Sequence, residues 1–237
     1  KKRNIKQGAM QQLLTGKKRL PGFGSLNGKP NSCKQTEIGV IPKDWAMVKV
    51  NDITINHRQG YYTKDKYVND GAYLVRITDL LNPRINYFGM PKLNISKSDF
   101  ELYKIKKGDF LFARSGAIGR YGIVYEDVNA VFGSYIIRFT FDIAKVINEY
   151  FGFLYETELV LKQLLSITQG SSNININANN IKSIKIPLPT LLEQTAISQI
   201  LSDMDAEIEA LEQKLDKYRM IKQGMMQELL TGKTRLV

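Results

Sequence analysis

The two ends of this chain carry nearly the same sixteen residues. Residues 5–20 read IKQGAMQQLLTGKKRL and residues 221–236 read IKQGMMQELLTGKTRL, so thirteen positions are identical. A match of this length at such a separation indicates a duplicated architecture, of which the chain spans slightly more than one period. Gly8 and Gly224 interrupt the two copies at the same place, which predicts a kink or a close contact between helices there.

The residues ahead of the second copy predict one long helix. Few helix-breaking residues occur between Leu191 and Gly224, and apolar side chains recur at alternating spacings of three and four, which is the seam of a coiled coil. At about 1.5 Å per residue, a helix from Leu191 to Thr231 would reach about 60 Å. We therefore expect it to pair with a second helix; a core helix packed on its own domain is the alternative. The predicted seam consists of Leu201, Met204, Ile208, Leu211, Leu215, Tyr218, Met225 and Leu229.

The first copy has no such helical pattern ahead of it, and the first residue is Lys1 rather than Met. We interpret the chain as a fragment or a processed product of a longer one. A rearranged single-copy gene is the other interpretation.

The sequence between the two copies predicts an α+β domain. Short segments rich in aromatic and β-branched residues predict strands, and residues 146–165 have helical periodicity. Pro187 and Pro189 exclude helix and predict a stiff, extended hinge ahead of the long helix. The predicted fold class is therefore α+β, a globular mixed α/β domain followed by a long coiled-coil-forming helix. The predicted strands are residues 73–77, 109–113, 122–125 and 134–141.

The chain is basic, with 34 Lys and Arg against 23 Asp and Glu and a formal net charge of +11. This charge favours an anionic partner, either nucleic acid or a membrane surface. No apolar run approaches the roughly 18 residues that span a bilayer, and no pattern of a secretory signal opens the chain, so we expect no membrane association and a cytoplasmic location. The single Cys33 has no second cysteine for a disulfide or a structural zinc site. The residues ahead of Glu37 carry no acid, and they predict either a solvated, poorly ordered arm or a phosphate contact.

The sequence displays no active site. The N/D-P-P-Y/F tetrapeptide of methyltransferases is absent, and residues 82–84, which read NPR, are its nearest approach. The Gly-Lys pairs lack the upstream glycine of a phosphate-binding loop. His57 is the only histidine, and the acidic residues are too scattered to suggest a metal site. We therefore expect no catalytic residue, no metal and no cofactor, although a nuclease or methyltransferase acting alone stays formally open.

Three polar stretches predict contact with DNA. Phosphates are contacted by Lys, Arg and polar donors, whereas bases are read by side chains that both donate and accept hydrogen bonds. The leading stretch is residues 57–62, a second lies at residues 114–120 in a glycine-rich turn, and a third is the polar loop at residues 169–173. Each has a structural alternative, since Arg114 could simply brace its domain. The candidate DNA-binding residues are His57, Arg58, Gln59, Tyr61, Tyr62, Arg114, Ser115, Arg120, Gln169, Ser171 and Asn173.

Several segments together resemble the specificity subunits of type I restriction-modification systems. No single segment is decisive, but their order and spacing cover nearly the whole chain. They are EIGVIPKDW at 37–45, KGDFLFARSG at 107–116, QGSS at 169–172, IPLP at 186–189 with LEQ at 192–194, and the terminal GxMQxLLTGKxRL.

The resemblance implies a non-catalytic target-recognition domain followed by a spacer helix. In this family a full subunit holds two such units, the spacer helices pack antiparallel, and the two domains read two halves of a split target in double-stranded DNA. Methyltransferase (M) subunits dock on this scaffold, and restriction (R) subunits join through them. The chain has one recognition domain, so either the other half was removed or the chain pairs through its long helix with a second copy or a second half.

The resemblance also divides the chain into three parts. Residues 1–34 form a basic N-terminal segment that is the tail of a preceding helix, residues 35–189 form the recognition domain, and residues 190–237 form the spacer helix. A structural coiled-coil adaptor without sequence-specific DNA binding is the alternative function.

Overall fold

The computed structural model describes residues 1–26, 29–30, 32–115, 119–168 and 176–232. The helices described there are α1 (Lys2–Leu13), α2 (Lys97–Tyr103), α3 (Asn148–Tyr155), α4 (Glu158–Thr168), α5 (Ala178–Ser183) and α6 (Leu191–Leu230), with short 3-10 turns at Val50–Ile53 and Ile77–Asp79. The strands are β1 (Ser25–Leu26), β2 (Lys29–Pro30), β3 (Cys33–Thr36), β4 (Gly39–Pro42), β5 (Ala46–Lys49), β6 (Thr54–Gln59), β7 (Ala72–Val75), β8 (Leu80–Leu81), β9 (Arg84–Ile85), β10 (Lys92–Leu93), β11 (Asp109–Ala113), β12 (Tyr121–Ile123), β13 (Ala130–Phe132), β14 (Ile136–Phe141) and β15 (Lys185–Leu188).

An antiparallel sheet in the order β12-β11-β14-β6 forms the centre of the domain. All five residues of β11 are buried, because Phe110 and Phe112 face the main core while Leu111 and Ala113 face a second cluster on the other side. A strand covered on both faces has a continuous apolar run rather than an alternating pattern. The second side is covered by a smaller sheet in the order β10-β7-β13.

The predicted α+β fold with a long C-terminal helix is confirmed, with three local corrections. The helical pattern over residues 146–165 is divided into α3 and α4, and Thr157 Oγ1 donates to Leu154 O at 2.6 Å at the break. The stretch around Pro187 is extended as predicted, but it is strand β15, paired with β5, rather than a free hinge. Helices α1 and α6 continue through Gly8 and Gly224, and an added Cβ would meet nothing within 4 Å, so the close helix contact predicted there does not form within the described chain, while the kink stays a prediction.

Helix α6 is 40 residues long and is embedded in the domain only at its start. Thr190 caps it, with its hydroxyl accepting from Glu193 N at 3.4 Å. Two members of the predicted seam pack within their own chain. Leu201 is fully buried in the main core, and Met204 is partly buried against that core. The distal members are exposed by 37 to 59%: Leu211, Leu215, Tyr218, Met225 and Leu229. The core-helix alternative therefore holds for the first part of α6 and not for residues 211–230, which we call distal α6.

Helix α1 packs on α6, so the basic N-terminal segment is not the solvated arm that was one of the two predictions. Met10, Leu13 and Leu14 are buried in the main core. Three of its cations pair with acids on the first half of α6, which also leaves them less free for the phosphate contact that was the other prediction. The pairs are Lys2–Glu207, Arg3–Glu212 and Lys6–Asp205.

Arg19 connects this segment to the domain through a buried ion cluster. Its Nε and Nη2 donate to both carboxylate oxygens of Glu193 at 2.8 and 2.7 Å, and its Nη1 donates to Asp44 at 2.8 Å. Trp45 Nε1 donates to the same Glu193 carboxylate at 3.0 Å. Burial alone would lower the pKa of Arg19, but the hydrogen bonds to the two carboxylates raise it above its ordinary value. Three distant segments are therefore joined at one point.

Candidate nucleic-acid interface

One end of the four-stranded sheet brings the first two sequence-predicted stretches together. β6 ends there and β14 begins there, with Gln59 paired to Ile137, while the last residue of β11, Ala113, is paired to Ile136. β12 also starts at this end, because Tyr121 is paired to Phe112. We call the residues that emerge here, namely 59–62, 114–115, 120 and 134–135, the sheet end.

Two glycines set the geometry of the sheet end. Gly60 N donates to Ile136 O at 2.9 Å, and Tyr61 N donates to Phe132 O at 2.8 Å. A Cβ on Gly60 would lie 2.0 Å from Gly133 O, a distance that no side chain tolerates. The backbone after β6 therefore crosses directly against the turn between β13 and β14.

His57 and Arg58 lie within strand β6, so the leading polar stretch, predicted as a loop over residues 57–62, begins as a strand. Their side chains point to opposite faces, as successive residues of a strand do. The His57 ring stacks on Phe139 with centroids 5.5 Å apart, and burial together with the charge of Lys182 lowers the pKa of His57, which favours its neutral form. The Arg58 guanidinium lies 5.7 Å from the Tyr103 ring centroid. Of these two, only Arg58 presents a charge beside the sheet end.

The remaining residues of the first stretch differ in how far they reach solvent. Gln59 is exposed and Tyr62 is 68% exposed. Tyr61 is half-buried against Tyr103, with ring centroids 5.2 Å apart, and burial raises its pKa. Gln59 and Tyr62 are therefore free to contact a partner, whereas Tyr61 mainly supports them.

The second stretch lies beside the first. Arg114 N donates to Tyr135 O at 2.8 Å, and Arg114 O accepts from Ile176 N at 2.8 Å. Arg114 Nε is buried without a hydrogen-bond partner among the described residues. Ser115 is half-buried and Arg120 is exposed. Two guanidinium groups thus lie at the sheet end.

The third stretch lies outside the described residues, so the positions of Gln169, Ser171 and Asn173 are not assigned. The first described residue after it, Ile176, is bonded to Arg114. The chain that follows the stretch therefore reaches the sheet end.

Sequence reasoning missed several residues of this surface. Tyr135 is 64% exposed beside Arg114, and the exposed Lys64, Lys66 and Tyr67 extend the loop that follows Tyr62. The predicted strand begins at residue 134, but β14 begins at Ile136. The Gly-Ser pair ahead of Tyr135 is the turn signal that could have identified it.

A separate groove of about 800 Å³ lies between α1, α6 and the β8–β9 hairpin. Its half-buried acid, Glu156, accepts from Tyr121 Oη at 3.2 Å and from Asn82 Nδ2 at 3.3 Å, and desolvation raises the pKa of Glu156. Arg84 on the hairpin pairs with Glu209 of α6 at 3.2 Å. Because acids and bases alternate along this groove, it does not have the uniform positive charge that a nucleic-acid backbone requires.

The family model and the curated relatives that match this chain point to the same family. The family model described as type I restriction modification DNA specificity domain matches residues 42–217. The specificity subunit of the type I restriction enzyme MjaVIII of Methanocaldococcus jannaschii is 27% identical over 98% of this chain and 54% of its own length. The chain spans about half the length of the curated relatives it matches.

Solved structures share the fold. The HsdS subunit of Thermoanaerobacter tengcongensis superposes with a TM-score of 0.61 at 13% identity, covering 96% of this chain and 50% of that one. A chain from a study of the assembly and conformational transition of the type I R-M system gives 0.66 at 13% identity, covering 96% and 51%. None of the helices in the described part of the chain is long and apolar enough to cross a membrane.

Proposed function

The chain belongs to the type I restriction-modification DNA specificity family, and on this premise we propose that it reads one half of a bipartite double-stranded DNA target through the sheet end. The observation that carries this proposal is the convergence at one sheet end of stretches more than 50 residues apart in sequence. Together they present guanidinium, amide, hydroxyl and aromatic groups, which are the groups that contact phosphates and base edges.

The charged and the uncharged polar side chains of this surface suit different parts of DNA, namely the phosphates and the base edges. Arg114 and Arg120, with Lys64 and Lys66 in the neighbouring loop, supply cations for the phosphate backbone. Gln59 supplies an amide that can both donate and accept at a base edge. Arg58 is held over Tyr103, so its side chain is partly ordered before DNA binds.

The chain in this proposal is a recognition and scaffold subunit, and the chemistry belongs to its partners. Methyltransferase subunits dock on it, restriction subunits join through them, and the complex acts in the cytoplasm. A structural adaptor is less favoured, because it would not need a cation-rich and aromatic sheet end on a separate domain.

The DNA interaction is expected to depend on salt and on the cations of the sheet end. Replacing Lys64, Lys66 and Arg120 with Gln removes up to three phosphate contacts. The slope of log affinity against log salt is negative, and each lost contact should reduce its magnitude by about 1, so that affinity depends less on salt. The measurement is fluorescence anisotropy with labelled duplex DNA at several salt concentrations. The matched control is Arg219→Gln, which changes one exposed cation on distal α6. If wild-type protein binds duplex DNA without salt dependence, the proposed function is wrong.

We further propose that distal α6 pairs with a helix of a second copy or a second half. In the first repeat copy, Met10, Leu13 and Leu14 are buried against the chain itself. Their counterparts in the second copy are exposed by 37 to 81%: Met226, Leu229 and Leu230. The same residues that form a contact in one copy are therefore uncovered in the other.

The pairing predicts a dimer in solution when no second half is supplied. Leu215→Glu combined with Met225→Glu is expected to convert a dimer to a monomer, because each change places a charge in the apolar seam. Light scattering measures the mass, and Leu192→Glu is the control, since Leu192 is 77% exposed on α6 but lies outside the seam. A wild-type chain that stays monomeric and does not bind an added second half would contradict the pairing.

A further inference from the structure

The turn between β13 and β14 is unusually well tied to its surroundings. Ile136 N donates to Gly133 O at 2.9 Å, which closes the turn with Ser134 and Tyr135 at its centre. Gly133 N donates to Val75 O at 2.9 Å, and Arg114 N donates to Tyr135 O at 2.8 Å. The turn is therefore bonded to β7 and to the end of β11.

The other side of this turn is held by the crossing at Gly60. The carbonyls of Phe132 and Ile136 accept from Tyr61 N and Gly60 N, so both flanks of the turn are bonded to the chain after β6. Each bond uses backbone groups and leaves the Tyr135 side chain out. Backbone position is thus defined, while the ring is 64% exposed.

Tyr135 occupies the middle of the sheet end. Arg114 and Ser115 follow β11 on one side, and on the other side Gln59 ends β6 and Tyr62 follows it, as the strand order β11-β14-β6 requires. A large exposed ring on a fixed backbone is a surface that binding can use with little loss of conformational freedom, because tyrosine has only two side-chain torsions.

We propose that Tyr135 is a specificity-determining residue that contacts base edges in the DNA target. The inference rests on the proposed function and goes further by naming a residue and its role. Tyr135 carries no charge that would attract phosphate. Such a charge is carried by Arg114, whose backbone N donates to Tyr135 O, and by Arg120, which lies beyond β11. Its hydroxyl both donates and accepts a hydrogen bond, and its ring edge can pack against a thymine methyl group.

The test compares Tyr135→Ala and Tyr135→Phe with wild type in the full chain. A preferred duplex is first selected with wild-type protein from a randomised library, and affinities for that duplex and for a scrambled one are then measured. Tyr135→Ala is expected to lower the ratio of the two affinities about 10- to 100-fold, the size of one lost base contact. Binding of the scrambled duplex should change less than about twofold, since phosphate contacts persist. Tyr135→Phe, which keeps the ring, should retain part of the ratio.

The control is Ile143→Ala, because Ile143 is a large apolar side chain that is 82% exposed but follows the other end of β14, away from the sheet end. An unchanged affinity ratio in Tyr135→Ala would overturn the role of Tyr135 and leave the proposed function intact. An equal fall for both duplexes would also overturn it, because it would indicate a contact without sequence information. If wild-type protein selects no sequence from the library, both the inference and the proposed function fail.

Discussion

Replacing Arg19 with Met is expected to lower the free energy of unfolding by about 3–5 kcal/mol, since removing one partner leaves a buried charge uncompensated. The charge that loses its partner is the carboxylate of Glu193. This residue is 1% exposed, and its carboxylate would keep only the hydrogen bond from Trp45. Urea unfolding followed by fluorescence measures the effect directly, because Trp45 is the only tryptophan and lies in the cluster.

Arg3→Met is the matched control. Arg3 also pairs with a glutamate of α6, but its side chain is 76% exposed and that of Glu212 is 47% exposed. Exposed pairs contribute roughly 0–1 kcal/mol, so this variant should be close to wild type. Adding Glu193→Gln to Arg19→Met should recover part of the loss, since no unpaired buried charge then remains at that position. Equal stability losses in Arg19→Met and Arg3→Met would contradict a structural role for the buried cluster.

Gly60→Ala is expected to destabilise the domain by about 3 kcal/mol and to abolish sequence preference. The added Cβ would lie 2.0 Å from Gly133 O and 2.7 Å from Phe132 O, and both are backbone atoms that a rotamer change cannot move. Relieving the overlap must separate the chain after β6 from the turn that carries Tyr135, and overpacking of this kind typically costs about 1–3 kcal/mol or more. Thermal or urea unfolding and the selected-duplex assay report the two effects.

The same substitution at Gly224 is the control and has the opposite expected sign. Gly224 lies inside α6 with nothing within 4 Å of an added Cβ, so Ala should favour the helix by about 1 kcal/mol. A Gly60→Ala protein with wild-type stability and undiminished sequence preference would show that the crossing of the two backbones does not position the sheet end.

The elements that were predicted well are those with a strong local pattern. Helix α6 was expected from Leu191 to Thr231 and runs from Leu191 to Leu230, and β11 has the predicted bounds. The single helix expected over residues 146–165 failed because its apolar spacing continues across Thr157, where the chain nevertheless turns. Periodicity records which side of an element is buried and carries little information about a short break within it.

The candidate site was predicted in part. Gln59, Tyr62, Arg114 and Arg120 were identified as polar or aromatic groups in suitable stretches, and the structure brings them to one sheet end, with Arg58 beside it. Whether they contact DNA stays a prediction. His57 was included on residue type alone, and its ring stacks on Phe139 instead.

The sequence by itself determined the repeat, the long helix and the α+β class, because these depend on residue spacing along one segment and on the fixed periods of helix and strand. The tertiary structure alone decided that Arg19 meets Glu193, that α1 covers the first part of α6, and that Gly60 crosses the turn displaying Tyr135. Those contacts join residues between 73 and 209 positions apart in the sequence. Their formation depends on strand register and on how helices pack against the sheet, and neither is encoded in the local spacing of any one segment.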